Sequence, residues 1–370
     1  MKIFQMKNNF LYILKFFLAP VLLPLSFYFA ITNTGILAFH SVFIAFGLVP
    51  LMDFIFPKSL LNPSSLEEEK VLKETIIYDI LVWIVLPVQL ICLAAFLETF
   101  STNYNQVDWL TKIGWICSMG TLSGILGINV GHELGHRIGS WQRYVGKALL
   151  WTSLRMSFYI EHNWGHHRDV STPKDPASAK KNELVYTFIP KSLMQTWLNS
   201  WTIQKELLQK RKVGFFSIYN DILWYTIIQW SSILAVLLVF GWQTMLAYVA
   251  AMLGGMFLLE AVNYIEHYGL RRKQDENGRY ERTLPIHSWN SDHSFSGAAL
   301  FNLSRHSDHH YLPGRPYQIL RNYETTPNMP TGYAGMILLS LVPPLWFAVM
   351  NKKVENIDKT MNQDFSMDTY

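Results

Sequence analysis

Six apolar runs, each long enough to cross a lipid bilayer, constrain the fold of this chain more than any other feature. An α-helix rises about 1.5 Å per residue, so roughly 20 apolar residues span the hydrocarbon core of a membrane. Only 16% of the 370 residues are charged, compared with about a quarter in soluble domains. The sequence therefore predicts an all-α integral membrane protein that forms a single domain over residues 1–370. The six predicted transmembrane helices cover residues 11–31, 35–56, 74–97, 113–131, 222–240 and 243–265.

The distribution of lysine and arginine predicts the orientation in the membrane. An even number of spans places both termini on one side. The three short loops on the other side contain a single basic residue, Lys112. Positive charge accumulates in cytoplasmic loops, so we expect both termini to be cytoplasmic and the protein to lie in the inner membrane. The net charge of +4 follows from this bias and does not indicate nucleic-acid binding.

Polar stretches on the predicted cytoplasmic side should form a cap over the helices. They cover residues 132–219 and 267–331. A later apolar stretch, 332–350, is broken by Pro343 and Pro344 and predicts a peripheral or re-entrant segment. We expect the tail from Asn351 onward to be loose.

The fourth apolar run contains a row of glycines, Gly120, Gly124, Gly127 and Gly131. Small residues at spacings of three and four let membrane helices approach closely. Close packing is the favoured interpretation. The alternative is a channel for a slender substrate that ends at His132.

Histidine boxes on the predicted cytoplasmic side carry the chemistry. Eight of the 12 histidines fall in three boxes, and a ninth, His267, directly follows the sixth span. Residues three or four apart share one helix face, and neutral imidazole is the commonest metal ligand in proteins. His40, His287 and His293 lie outside the boxes and are expected to be structural or supporting. The boxes are His132 and His136; His162, His166 and His167; His306, His309 and His310.

Eight or nine imidazoles exceed the six positions of one octahedral ion, so they indicate two metal ions. Imidazole suits iron, zinc, copper and nickel rather than magnesium or calcium. Zinc sites usually take three or four protein ligands, whereas two irons with four or five histidines each, and open positions for oxygen, fit best. The chain has two cysteines, Cys92 and Cys117, and an all-cysteine iron site needs four. Electrons must therefore come from outside the chain.

Carboxylates accompany the boxes and are expected to support them. Metal-bound histidines commonly donate their second N–H to a carboxylate. We expect this role for most of the set, and a bridging role is open to one member. Arg168 and Arg305 are interpreted as charges that hold the loops. The carboxylates are Glu133, Glu161, Asp169, Glu266 and Asp308.

These motifs resemble the AlkB-type alkane monooxygenases, within the wider superfamily of membrane histidine-box hydroxylases and desaturases. The boxes alone are shared with desaturases, whereas segment 263–270 and the form of segment 305–310 are more specific to the alkane hydroxylases. The matching segments are 132–136 (HELGH), 161–167 (EHNWGHH), 263–270 (NYIEHYGL), 287–291 (HSWNS) and 305–310 (RHSDHH).

The resemblance implies a non-haem diiron centre and hydroxylation by O2 of the terminal methyl of a medium- or long-chain alkane. It implies electrons from rubredoxin and a rubredoxin reductase. Ser304 and Tyr311 depart from the family pattern and weaken conclusions about substrate. The implied iron ligands are His132, His136, His162, His166, His167, His267, His306, His309 and His310; Glu133, Glu161, Glu266 and Asp308 remain candidates for support.

Three alternatives stay open. The chain could hydroxylate aromatic methyl groups of the xylene or cymene type, or desaturate a lipid, although segment 263–270 disfavours the desaturase. A metal transporter is the non-enzymatic alternative, but transport sites lie at the middle of the membrane.

Basic residues of the cap could dock an acidic electron carrier, or could simply reflect positive-inside charge. They are Arg137, Arg143, Lys180, Lys181, Arg271, Arg272 and Lys273.

Overall fold

The structure, a computed structural model, describes residues 10–367. Residues 1–9 and 368–370 of the predicted domain lie outside this range. The all-α prediction is confirmed, since the described residues contain helices and two isolated β-bridges but no strand. In chain order the main helices are α1 (Tyr12–Ile31), α2 (Gly35–Ile55), α3 (Leu66–Glu74), α4 (Ile76–Asn103), α5 (Trp109–Gly135), α6 (Ser140–Thr152), α7 (Ser157–Glu161), α8 (His167–Asp169), α9 (Val185–Arg211), α10 (Asp221–His267), α11 (Ser294–Ala299), α12 (His306–Tyr311), α13 (Tyr333–Ser340) and α14 (Pro343–Met367).

The chain is a multi-pass membrane protein. Within residues 10–367, helices α1, α2, α4, α5 and α10 are long and apolar enough to cross a bilayer. The first four occupy the places of the first four predicted spans. The pair formed by α13 and the start of α14 is a sixth candidate, but it bends by 120°.

Helix α10 is a hairpin of two membrane helices. Its 47 residues would extend about 70 Å if straight, more than twice a bilayer core. Helical geometry breaks at Gly241, whose φ of 82° is readily adopted only by glycine. The backbone N–H of Met156 donates to Gln229 (2.7 Å) and the guanidinium of its neighbour Arg155 donates to Glu260 (2.9 Å). Gln229 and Glu260 would lie about 45 Å apart on a straight helix, so the two arms run side by side, where the fifth and sixth spans were predicted.

Glycines bring α5 against the second arm of α10. A Cβ on Gly120 would lie 2.8 Å from the carbonyl oxygen of Ala251, and one on Gly255 would lie 3.0 Å from Ser123 Oγ. Side chains at these positions would push the helices apart, so their absence permits a close approach. His132 lies near the end of α5 and His267 at the end of α10, so both helices carry histidines toward the cap.

Part of the stretch expected to form the cap folds back among the membrane helices. The hydroxyl of Ser153, just beyond α6, lies 2.9 Å from that of Ser123 in α5. Ser123 lies about 13 Å along the helix from His132, on the side away from the cap. Helix α6 enters the bundle because Leu149 and Leu150 on its inner face are fully buried against α5.

The expectation of a loose tail after Asn351 is wrong. Helix α14 begins at Pro343 and continues to Met367. Trp346, Met350 and Val354 are buried at intervals of four residues and pack against the tyrosines at the end of α10. This stripe holds the helix against the rest of the protein.

Candidate metal centre

Helix α5 carries the first histidine box beyond the lipid-facing part of the helix without a break. His132 lies inside the helix and His136 at its C-cap, so one turn separates them. Their ring centroids are 5.1 Å apart. The box lies on α5. This helix is the most buried of the candidate membrane-spanning helices among residues 10–367.

The second box lies on a π-helical turn, His162–His166, between α7 and α8. A π-turn pairs residues five apart rather than four. Accordingly His162 Nε2 lies 2.9 Å from His167 Nε2, while His166 turns to other partners. The α-helical spacing expected from the sequence would have paired His162 with His166 instead.

The third box, on α12, contributes to both sides of the site. His306 Nε2 and His310 Nε2 are 2.9 Å apart, as expected for positions i and i+4 of a helix. His309 faces the other way, and its Nε2 lies 2.8 Å from that of His132. His267 is the last residue of α10, and its Nε2 lies 3.1 Å from Nε2 of His306.

These nine histidines form two groups. The donor atoms within each group all lie within 4.8 Å of one another. Metal–nitrogen bonds of about 2.1 Å place two ligands at right angles roughly 3.0 Å apart, which is the spacing of the four Nε2 pairs above. The five-histidine group contains His132, His136, His162, His167 and His309; the four-histidine group contains His166, His267, His306 and His310.

Each group also holds an imidazole nitrogen that needs a partner. His136 Nε2 in the first group and His166 Nε2 in the second are buried and make no hydrogen bond to the described residues. A buried polar atom without a partner is costly. A cation in each group would satisfy both nitrogens, so the donor set fits two metal ions.

Burial keeps most of these imidazoles neutral, as metal ligation requires. It lowers the pKa of His136 to about 3, with a further contribution from His166. Burial and neighbouring imidazoles also lower the pKa well below the usual value for His162, His167, His306, His309 and His310.

His166 differs because a carboxylate supports it. Its Nδ1 lies 3.0 Å from Asp175 Oδ2. Burial lowers the pKa of His166, but Asp175, aided by Glu161 and Glu266, outweighs burial and raises it to about 9. This contact turns Nε2 into the four-histidine group, the arrangement by which carboxylates orient metal-bound histidines. Asp175 was missed in the sequence because it lies in a loop outside the boxes.

Glu266 is the predicted carboxylate that lies against an imidazole. Its Oε2 is 3.2 Å from His306 Nε2, and its Oε1 accepts a hydrogen bond from the hydroxyl of Tyr333 (2.7 Å). Tyr333 is a further residue that sequence reasoning missed. It comes from α13, which lies outside every box.

The other predicted carboxylates hold the cap rather than the imidazoles. Glu161 accepts from Asn199 (3.1 Å), and burial raises its pKa to about 7. Glu133 pairs with Arg137 and accepts from the backbone N–H of Tyr317. Asp308 accepts from Arg315 and Tyr323, each at 2.7 Å.

The arginines near the boxes hold loops, and the remaining histidines have hydrogen-bond partners outside the two groups. Arg305 donates to the carbonyls of Leu320 (2.6 Å) and Ser59 (2.9 Å), which ties the segment after α2 to the cap. Arg168 pairs with Asp169 at the surface. The three described histidines outside both groups bond locally, and they are His40 to Ser26, His287 to Glu281 and His293 to Ser291.

An apolar cavity of about 110 Å³ ends at the two groups. Its walls come from α1, α2, α5, α10, α11 and α13, and Gly124 is one of the lining residues. A Cβ on Gly124 would lie 3.2 Å from Leu258 Cδ1, so the glycine row serves close packing at Gly124 as well as at Gly120. At one end the cavity meets His132 and His162 of the first group, and His306 of the second, beside Glu266. The arrangement can hold an apolar molecule directly against both groups.

Known proteins share this sequence pattern. The model of the fatty acid desaturase family matches residues 108–340, which include all nine grouped histidines. Alkane 1-monooxygenase 1 of Pseudomonas aeruginosa is 40% identical over 317 residues, covering 86% of this chain and 83% of the relative. Alkane 1-monooxygenase 2 of Alcanivorax borkumensis is 38% identical over 321 residues, covering 84% and 81%. A xylene/toluene monooxygenase hydroxylase component of Pseudomonas putida is 27% identical over 243 residues, covering 66% and 64%.

Proposed function

Because the chain belongs to the fatty acid desaturase family, among its alkane 1-monooxygenases, we propose that it hydroxylates the terminal methyl of medium- or long-chain alkanes. It is an oxidoreductase. The proposed reaction converts RCH3 and O2, with two electrons and two protons, into RCH2OH and water.

The observation that carries this proposal is the contact between the apolar cavity and both histidine groups. A terminal C–H bond is stronger than the internal ones, so position must select the methyl. A cavity lined by residues such as Phe46, Ile125 and Leu258 admits a hydrocarbon chain and presents one end to His132 and His306. Such fixed orientation is a large source of rate enhancement.

We propose two iron ions as the cofactor, held by the nine grouped histidines. Bound there, the irons would supply O2 activation and removal of hydrogen from an unactivated C–H bond. The protein orients the ligands: Asp175 fixes the ring of His166, and Tyr333 fixes the carboxylate of Glu266 beside His306. The apolar walls exclude water from the reacting methyl.

We further propose rubredoxin and a rubredoxin reductase as the electron source. The support is chemical, since two electrons are needed and two cysteines, Cys92 and Cys117, cannot build an all-cysteine redox site.

We also propose cytoplasmic termini and an inner-membrane location, which the bias of positive charge supports. The test is a fusion, after residue 370, of a reporter enzyme that is active only outside the cytoplasm. The fusion should show no reporter activity.

Aromatic methyl hydroxylation is the second candidate, and the xylene-oxidising relative supports it less strongly at its lower identity. The test is gas chromatography of products from octane, hexadecane and p-xylene, with the enzyme in nanodiscs. Primary alcohols from an alkane, formed only with rubredoxin and its reductase, are expected. Oxidation of p-xylene with no alcohol from either alkane would overturn the proposal in favour of the second candidate.

A further inference from the structure

A polar groove of about 470 Å³ lies on the cap behind the four-histidine group. One wall is α9 and the other is the loop after the second box, residues 173–180. Four basic side chains line it, and they are Lys174, Lys180, Lys191 and Arg271. The acidic member of the lining, Asp175, is only 4% exposed and is occupied by His166.

Two of the four basic side chains in this groove have no acidic partner among residues 10–367. The ammonium groups of Lys174 and Lys180 are exposed and have no ion-pair or hydrogen-bond partner among residues 10–367. Arg271 donates to the carbonyls of Leu270 and Ala179, and the charges of Asp175 and Glu183 act favourably on its guanidinium. Lys191 pairs with Glu183.

Several basic residues on the other approaches to the site are paired with carboxylates, whereas Arg143 and Arg272 donate to backbone carbonyls. Near the first box, Arg137 binds both Glu133 and Asp79. Near the third box, Arg315 binds Asp308. Arg168, beside the second box, binds Asp169. The groove differs from these approaches because exposed lysines without a carboxylate partner line one concave surface, which suits it to attract an acidic protein.

The floor of the groove is connected directly to the metal centre. Asp175 Oδ2 lies 3.0 Å from His166 Nδ1, and His166 belongs to the four-histidine group. A protein seated in the groove would be separated from that group by one carboxylate and one imidazole. Electron transfer weakens steeply with distance, so a donor gains most by docking where the separation is smallest.

We propose that this groove is the docking site of a small acidic one-electron carrier, with its redox centre closest to His166. The proposal rests on the proposed function, because monooxygenation needs electrons that this chain cannot supply. Each docking event oxidises one reduced carrier and delivers one electron. Two such events, with two protons from solvent, balance the formation of RCH2OH and water from RCH3 and O2.

The test is binding of oxidised rubredoxin, an acidic carrier, to the metal-loaded enzyme in nanodiscs. The charge-reversal variant is K174E/K180E, and K174Q/K180Q is a milder version. The matched control is K210E/K212E, which reverses two exposed lysines at the far end of α9. Kd should rise roughly tenfold or more in K174E/K180E and less in K174Q/K180Q, and the differences should shrink at about 0.5 M salt. The control should stay within about twofold of the wild type.

Two further measurements separate docking from chemistry and folding. Metal content and thermal midpoint should equal those of the wild type in every variant. The KM for reduced rubredoxin in alkane turnover should rise with Kd, while kcat at saturation changes little. No rubredoxin binding by the wild type, an unchanged Kd in K174E/K180E, or an equal loss in the control would overturn the docking site. If the wild type binds rubredoxin but makes no alcohol from any alkane, the proposed function fails instead, since binding of the oxidised carrier requires no turnover.

Discussion

The two histidine groups are built from the same side chain but lie in different surroundings. The four-histidine group is fully buried, and carboxylates contact two of its members, Asp175 at His166 and Glu266 at His306. In the five-histidine group His136 and His167 are partly exposed, and no carboxylate contacts its imidazoles among the described residues. The comparison teaches that the two groups are not equivalent. The first offers nitrogen donors alone, and the second also has carboxylates beside its imidazoles.

The largest effect is expected when one histidine donor is removed from either group. His309→Ala in the first group and His267→Ala in the second should each reduce alkane hydroxylation to background. Bound iron should fall from about two ions per chain toward one, because each group loses a donor. Elemental analysis and gas chromatography measure both effects. Full iron with full turnover in either variant would contradict the assignment of that histidine.

Asp175→Asn should weaken the four-histidine group alone. The amide keeps the shape of the side chain but loses its charge, and comparable changes beside metal-bound histidines lower affinity about 10- to 100-fold. After treatment with a chelator, about one ion should remain per chain. Asp169→Asn, which disturbs only the surface pair with Arg168, is the control and should retain metal like the wild type. Equal metal loss in both variants would contradict a specific role of Asp175 in the four-histidine group.

Acid should destabilise the metal-free protein through the imidazoles with a lowered pKa. Burial favours neutral His136, whose pKa of about 3 lies below the value near 6.5 of an unfolded chain. Its contribution to stability is present above pH 6.5 and is lost as the pH falls.

For His136 alone, about 2 kcal/mol should disappear between pH 7 and pH 5. His166 has the opposite sign, since its pKa is raised to about 9; its contribution is fully present below pH 6.5 and is lost as the pH rises from there through 9. Thermal midpoints of metal-free and metal-loaded protein across this range provide the measurement. A midpoint of the metal-free protein that does not fall in acid would show that this account of the five-histidine group is wrong.

The smallest expected effect concerns Tyr333, which touches the four-histidine group only through Glu266. Tyr333→Phe removes one hydrogen bond to a carboxylate, worth about 1.5–3 kcal/mol before relaxation. Metal affinity of that group should fall by less than in Asp175→Asn, and turnover should drop about 3- to 10-fold. Tyr186→Phe removes an exposed tyrosine hydroxyl bonded to the carbonyl of Leu341 and is the matched control. A Tyr333→Phe loss as large as that of Asp175→Asn would mean that Glu266 matters more than Asp175.

The membrane helices and the grouping of nine histidines could be anticipated because apolar length and residue spacing are local properties. The two-residue gap between the predicted fifth and sixth spans, 222–240 and 243–265, likewise indicates a tight turn at Gly241. The pairing of His162 with His167 could not be anticipated, since the π-turn depends on how α7 and α8 pack. Glu266 and Glu133 look equivalent beside their histidines, yet only tertiary contacts decide that one faces His306 and the other faces Arg137. Asp175 and Tyr333 come from segments without a motif, so sequence spacing contains no signal for them.

The turn at Gly241 has a consequence for the biogenesis of the protein. Since the arms of α10 meet without a polar loop, the insertion machinery has nothing hydrophilic to move across the membrane at this point. The arms can enter the bilayer as a preformed pair, and His267 reaches the cap as soon as they do. Only then is the last box, residues 306–310, synthesised. The two histidine groups are therefore completed late, after the membrane helices are in place.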